Sequence, residues 1–315
     1  VAMILVTGGF GFIGAHTVLA LLDRGESCVV VQRRAAQLPA AFATERVEVE
    51  QADVGDLAAL RAIGARHDVT GIVHLAGSMP WPPGPDAPVP AARKAVDSLL
   101  NVVQVAQEWG VRRVGLASTI GVYLGFDSAG ALGEDMPLPL TSMHVIPAFK
   151  KIGEVMGHHL AAATGIELVN YRIAAIWGPS GQSSSPFFAA PALVNAAALG
   201  TAPDFPQLGS DVYADDSIDM FYAKDCGRAI AALQLADRLN HSTYNVASGR
   251  ATTNAEVVDA IRKVVPGFRI DLPVIGSGEQ SYLDITRLLH DTDYLPAYNT
   301  ERAVADYISW LRNGN

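Results

Sequence analysis

A short apolar run, Met3-Ile4-Leu5-Val6, ends in Thr7. Gly8, Gly11 and Gly14 follow at three-residue spacing, and an amphipathic segment occupies 15–24. That order predicts a strand, a tight glycine turn and a helix. Such a turn lets backbone N–H groups at a helix N-terminus approach a pyrophosphate, because glycine has no Cβ to hold the ligand away. The alternation continues along the chain. Apolar runs at 28–31, 47–49, 71–76, 113–118 and 168–172 read as further strands, and 57–65, 91–109 and 149–163 as helices. Repeated βα units predict an α/β fold with a doubly wound parallel sheet, whose ligand site lies beyond the C-terminal strand ends.

The 315 residues leave room for one such core and a smaller lobe. After Gly178-Pro179, loop-rich stretches at 182–186, 201–206 and 273–281 interrupt shorter elements. The expected division is therefore a dinucleotide-binding Rossmann domain of 1–179 plus about 219–249. About 180–218 and 250–315 would form a smaller, discontinuous α/β substrate-binding lobe and C-terminal helix. A net charge of −9 supplies no basic surface, which argues against nucleic acid as a partner. Cys28 and Cys226 have no metal-ligand spacing and read as buried thiols of a reduced, cytoplasmic protein. No apolar run is long enough to cross a membrane.

More stretches carry chemistry. They are Asp53-Val54-Gly55-Asp56, His74-Leu75-Ala76-Gly77, Ala117 to Tyr123, Arg172 to Pro179 and Tyr244 to Gly249. With the glycine turn, they resemble in order the TGxxGxxG, DxxD, HLAA, SSxxVYG, RxxNVYGP and FNIGSG elements of the extended short-chain dehydrogenase/reductases. That superfamily includes nucleotide-sugar epimerases, dehydratases and dihydroflavonol-type reductases, and the resemblance covers nearly the whole chain. It implies a nicotinamide cofactor held by Gly8, Gly11, Phe12, Ile13, Gly14, Asp53, Val54, Leu75, Ala76, Gly77 and Lys150. Asp53 would contact adenine, although it or Asp56 equally suits a helix N-cap. Thr119 would polarise a substrate oxygen; a strand-end threonine also commonly bonds its own backbone. Ser78, Trp81, Tyr123, Ile146 and Trp177 are the further expected substrate contacts. A homodimer through paired helices is also implied, and Val96, Leu99, Leu100 and Val103 allow it, although that face could instead cover the sheet.

The end of the second strand reads Val31-Gln32-Arg33-Arg34. A carboxylate there would hold the ribose 2′-OH of NAD, whereas guanidinium suits the 2′-phosphate of NADP. NADP(H) is thus favoured, with NAD(H) the alternative. The superfamily's YxxxK element is altered: with Lys150 as the lysine, Ile146 stands at the tyrosine position. Isoleucine transfers no proton. Either Thr119, Lys150, His144 or Tyr123, or a water held by them, takes the role, or a different chemistry operates, or the protein binds a dinucleotide without turnover. Ile218 and the 278–281 turn also lack the arginines that clamp a diphosphate in nucleotide-sugar enzymes. A non-nucleotide, partly apolar or aromatic metabolite is therefore the expected substrate, with Trp177, Phe187, Phe188, Phe205 and Tyr213 lining either its pocket or the lobe's own core. The reaction would be redox at a hydroxyl or carbonyl, or else an isomerisation or elimination with internally recycled nicotinamide.

Overall fold

The computed structural model describes residues 1–34, 39–77, 88–125, 129–205, 207–208, 210–275 and 280–314. In chain order the elements are β1 (Ala2–Thr7), α1 (Phe12–Asp23), β2 (Cys28–Gln32), β3 (Val47–Gln51), α2 (Leu57–Gly64), β4 (Asp68–His74), α3 (Pro88–Trp109) and β5 (Arg113–Thr119). Then come β6 (Gly130–Leu132), α4 (Val145–Thr164), β7 (Glu167–Ile173), β8 (Ala175–Trp177), α5 (Ala190–Leu199), β9 (Ser217–Ile218), β10 (Met220–Tyr222) and α6 (Ala223–Leu235). The chain closes with β11 (Thr243–Val246), β12 (Thr252–Thr253), α7 (Asn254–Val264), β13 (Ser281–Leu283), α8 (Thr286–Asp291) and α9 (Thr300–Arg312). Seven strands form one parallel sheet in the order β3-β2-β1-β4-β5-β7-β11. This is the expected doubly wound Rossmann arrangement. Strand order reverses between β1 and β4, and a reversal of that kind opens a crevice beyond the strand ends.

Local chemistry explains where the elements differ from the sequence expectation. The helix expected at 149–163 begins at Val145, because Pro147 falls in its first turn, where no N–H is required. In the same way α3 starts at Pro88 rather than 91. Strand β4 stops at His74, two residues short of the run read as 71–76, and Thr119 extends β5 by one.

Two apolar cores sandwich the sheet. One, including Val6, Val30, Val73 and Tyr171, packs under α1 and α6; the other, including Leu5, Val29, Ile72 and Val114, packs under α2 and α3. A Cβ on Gly227 of α6 would lie 2.3 Å from the carbonyl oxygen of His16, so glycine is what allows α1 and α6 to touch. A third core gathers Trp177, Phe188, Leu193, Val257, Ile261, Val304 and Tyr307 around α5, α7 and α9. Of the α3 residues that would line a dimer face, Val103 is buried in the sheet core and Leu99 packs against it, while Leu100 is exposed. Cys28 and Cys226 are buried and unpaired, and burial pushes the Cys28 thiol up to about 12. Among the described residues no helix is long and apolar enough to cross a membrane.

Candidate active site

The turn after β1 is built by close approach. Gly8 has φ +71°, and its N–H donates to Val31 O at 2.9 Å, tying the turn to β2. Gly11 N–H donates back to Gly8 O at 2.9 Å. A Cβ on Gly14 would lie 2.1 Å from Gly8 O, and one on Gly9 would lie 2.7 Å from Val30 Cγ1. Gly11 stands at the N-cap of α1 and no side chain caps the helix. The first N–H groups are thus left for an anion, which is what a pyrophosphate cradle needs. Phe12 packs edge-on to His16 and close to Gly181, while Ile13 packs on the core.

Beside this turn, Gln32 ends β2 paired with Gln51, and Arg33 and Arg34 are exposed immediately after it. Asp53 accepts the N–H of Gly55 at 2.9 Å and the ammonium of Lys94 at 2.8 Å. The Lys94 hydrogen bond, aided by Arg33, holds its carboxyl below the usual range. Asp56, not Asp53, is the N-cap of α2, accepting from Ala59 N–H at 3.1 Å. Val54 is buried, its carbonyl bonded by Asn101. Sequence inspection missed Lys94, which reaches Asp53 from α3 across 41 positions.

On the other side of β1, Thr7 Oγ1 lies 2.8 Å from His74 Nδ1 and accepts the N–H groups of Leu75 and Ala76 at 3.1 Å each. His74, Ala76, Gly77, Ile146 and Lys150 line one cavity of about 60 Å³ between β4, β5, α3 and α4. Lys150 is partly buried and without a hydrogen-bond partner among the described residues, and desolvation pushes its ammonium down to about 8. Lys151 is turned elsewhere, donating to the carbonyls of Pro139 and Thr141. Isoleucine at 146 therefore sits beside Lys150 but offers it no polar group.

Thr119, at the end of β5, caps the short helical turn Ile120–Tyr123 by accepting the N–H of Gly121 at 3.1 Å. Its own hydrogen is uncommitted among the described residues, so the cap and an outward hydrogen bond are compatible. Tyr123 is placed differently from its expected substrate contact. It is buried, its hydroxyl donates to Asn245 Oδ1 at 2.9 Å and accepts from Arg172 at 2.8 Å, and the Arg172 guanidinium lies over its ring. Arg172 in turn forms a buried pair with Glu154 at 2.7 Å, and Ser118 donates to the same carboxylate. This network clamps α4 to β5 and β7.

His144 is the N-cap residue of α4 and stacks on Phe187, with ring centroids 5.7 Å apart; burial lowers its pKa. It does not line the Lys150 cavity. Phe187 lines a separate cavity of about 290 Å³ with Phe188, Leu208, Asp211, Asp216 and Ile218. Trp177 joins neither, and borders instead a third cavity of about 470 Å³ with Tyr222, Ser248, Arg250 and Tyr298. Only 3% exposed, it packs edge-on to Tyr222 and Tyr307 in the third core, where the apolar strand β8 carries it. Ser78 and Trp81 lie outside the described residues, as does most of the proline-rich stretch around them.

Residues 4–247 match the model of the NAD dependent epimerase/dehydratase family. The chain belongs to that family. It is thereby an enzyme of the extended short-chain dehydrogenase/reductase type. Among similar proteins, the UDP-glucose 4-epimerase of Azospirillum brasilense is 27% identical over 98% of this chain and 92% of its own length. That of Lacticaseibacillus casei is 26% identical over 83% and 81%. A solved structure of the Thermus thermophilus UDP-glucose 4-epimerase complexed with NAD superposes with a TM-score of 0.80 at 21% identity, covering 99% of this chain and all (100%) of that one. A GalE-like L-threonine dehydrogenase from Cupriavidus necator gives 0.79 at 24%, covering 98% and 99%.

Proposed function

We propose that this protein is a nicotinamide-dependent oxidoreductase acting at a hydroxyl or carbonyl carbon of a small metabolite other than a nucleotide sugar. Lys150 supplies the proton that a tyrosine supplies in the motif it resembles. The observation that carries this reading is the Lys150 ammonium in a cavity beside Ile146, with no hydrogen-bond partner among the described residues. Gly8, Gly11 and Gly14 with the uncapped start of α1 fit a pyrophosphate, so Phe12 and Ile13 N–H groups would face it. Asp53 and Val54 would border the adenine, and Leu75, Ala76, Gly77 and Lys150 the nicotinamide riboside. When bound, the dinucleotide supplies the hydride donor or acceptor. Thr119 would donate its remaining hydrogen to the substrate oxygen.

NADP(H) is the proposed cofactor, although solved relatives are described with NAD. The reason is chemical: Gln32 offers no carboxylate to a ribose 2′-OH, whereas Arg33 and Arg34 suit a phosphate. The curated relatives named above are UDP-glucose 4-epimerases. Against a diphosphate substrate here, Ile218 lines the Phe187 cavity, and no lysine or arginine is found among that cavity's described lining residues. The relatives' names favour a second reading, epimerisation with an internally recycled cofactor. Dialysis separates the two: a reductase releases its dinucleotide, a recycling epimerase retains it.

Turnover of NADPH with a panel of aliphatic and aromatic ketones tests the site. Lys150→Met and Thr119→Ala should each cost at least ~10²-fold, and wild-type rates in both would discard the assignment. As the proton donor, Lys150 must be charged, so carbonyl reduction should fall as pH rises through about 8. Alcohol oxidation should rise over the same range. Fluorescence titration should show NADPH binding tighter than NADH, with Arg33→Ala erasing a difference of roughly tenfold.

A further inference from the structure

The Thr7 hydroxyl fixes a proton on His74. A hydroxyl has one hydrogen and two lone pairs. The amides of Ala76 and of Leu75, the latter shared with Thr7 O at 3.3 Å, approach the lone pairs at 3.1 Å, which directs the hydrogen to His74 Nδ1, 2.8 Å away. Nδ1 must accept, and the ring proton therefore sits on Nε2. Burial first, and the charge of Lys150 second, keep the imidazole neutral by pushing its pKa down to about 3. The Nε2 edge is turned toward Gly77, where a Cβ would come within 3.7 Å of it. His74 and Lys150 line the same cavity, and neither Nε2 nor the ammonium has a hydrogen-bond partner among the described residues.

The rest of the lining is mostly apolar, with Asn170, whose Nδ2 donates to Ser242 O, and Ser118 as its other uncharged polar side chains. From α3 come Ala95, Val96 and Leu99, from β7 Asn170, and from β5 Leu116, Ala117 and Ser118. The remaining charge is Glu154 on α4, already bonded to Arg172 and Ser118. About 60 Å³ is enough for a water, which needs roughly 10–15 Å³ of such space and two or more polar partners.

We propose that His74 is a positioning residue: its Nε2–H anchors the oxygen of a water in this cavity, and that water recharges Lys150. The inference rests on the reading of Lys150 as proton donor. The Lys150 ammonium gives one proton to the forming alkoxide and is left as a neutral amine. The water then gives a proton to Nζ and regains one from solvent. His74 cannot itself take the proton away, because burial beside Lys150 disfavours a second charge.

Two measurements on the intact protein test this without a known substrate. In ¹⁵N-histidine-labelled protein, NMR should show His74 protonated at Nε2 and bare at Nδ1 throughout the neutral range; a proton on Nδ1 overturns the proposal. Carbamylation of Lys150 by cyanate, followed at that residue by mass spectrometry against pH, reads its protonation directly. His74→Phe removes the water's anchor and with it an acceptor for the ammonium. The labelling midpoint should fall by about one unit, about tenfold in neutral-pH rate. Thr7→Val should move it the same way, and Thr7→Ser should restore it should His74→Phe not fold. An unmoved midpoint in a folded His74→Phe or Thr7→Val variant overturns the proposal. Wild-type turnover in Lys150→Met would overturn the reading it rests on while leaving the tautomer and labelling results standing.

Discussion

In the turn after β1, a Cβ on Gly14 would collide with Gly8 O at 2.1 Å, and a Cβ on Gly9 would meet Val30 at 2.7 Å. At the first turn of α4, Ile146 lines a cavity and Lys150 has no bonded partner among the described residues. The first region is held by backbone against backbone at Gly14 and against a buried valine at Gly9, where one added carbon has nowhere to go. The second is held from behind, by the buried Glu154–Arg172 pair one turn beyond Lys150, so the side chains facing the crevice are free to differ. The turn has no room for an added carbon, whereas position 146, where the resemblance implies a tyrosine, carries isoleucine without disturbing that support.

That contrast can be broken at several points. Glu154→Ala should have the largest effect on the fold. It leaves β7 with an unpaired guanidinium, Arg172, only 5% exposed, and should cost about 3–5 kcal/mol in denaturant unfolding. An equal loss from Ile146→Tyr would refute the claim that α4 is held from behind. Gly14→Ala comes next, with about 1–3 kcal/mol of overpacking and no measurable NADPH binding. Retained binding would mean the cradle is softer than its 2.1 Å approach implies. Asp56→Ala, which removes the α2 cap, should cost about 1 kcal/mol and leave cofactor affinity unchanged. A loss of affinity would place Asp56 rather than Asp53 against the adenine.

Much of the fold was legible along the chain, since strands such as 28–31 and the glycine turn announce themselves through local periodicity and backbone freedom. Helix starts were not, because prolines at 88 and 147 read as breakers although they sit in first turns. Within the site, Lys150 and Ile146 were placed by a four-residue spacing that a helix preserves. Tyr123 was not, because an aromatic side chain that fills a core looks the same in sequence as one that greets a ligand.

By itself, then, the sequence determined the alternation of strands and helices, the glycine turn after β1 and the isoleucine four residues before Lys150, all of which depend on neighbours within a few residues. The tertiary structure alone decided that Lys94 occupies Asp53, that Thr7 meets His74 from 67 positions away, and that Arg172 consumes Tyr123. The reason is physical. Hydrogen bonds that saturate a hydroxyl or pair a buried charge are made across strand order and helix packing, which bring together residues that no local pattern relates.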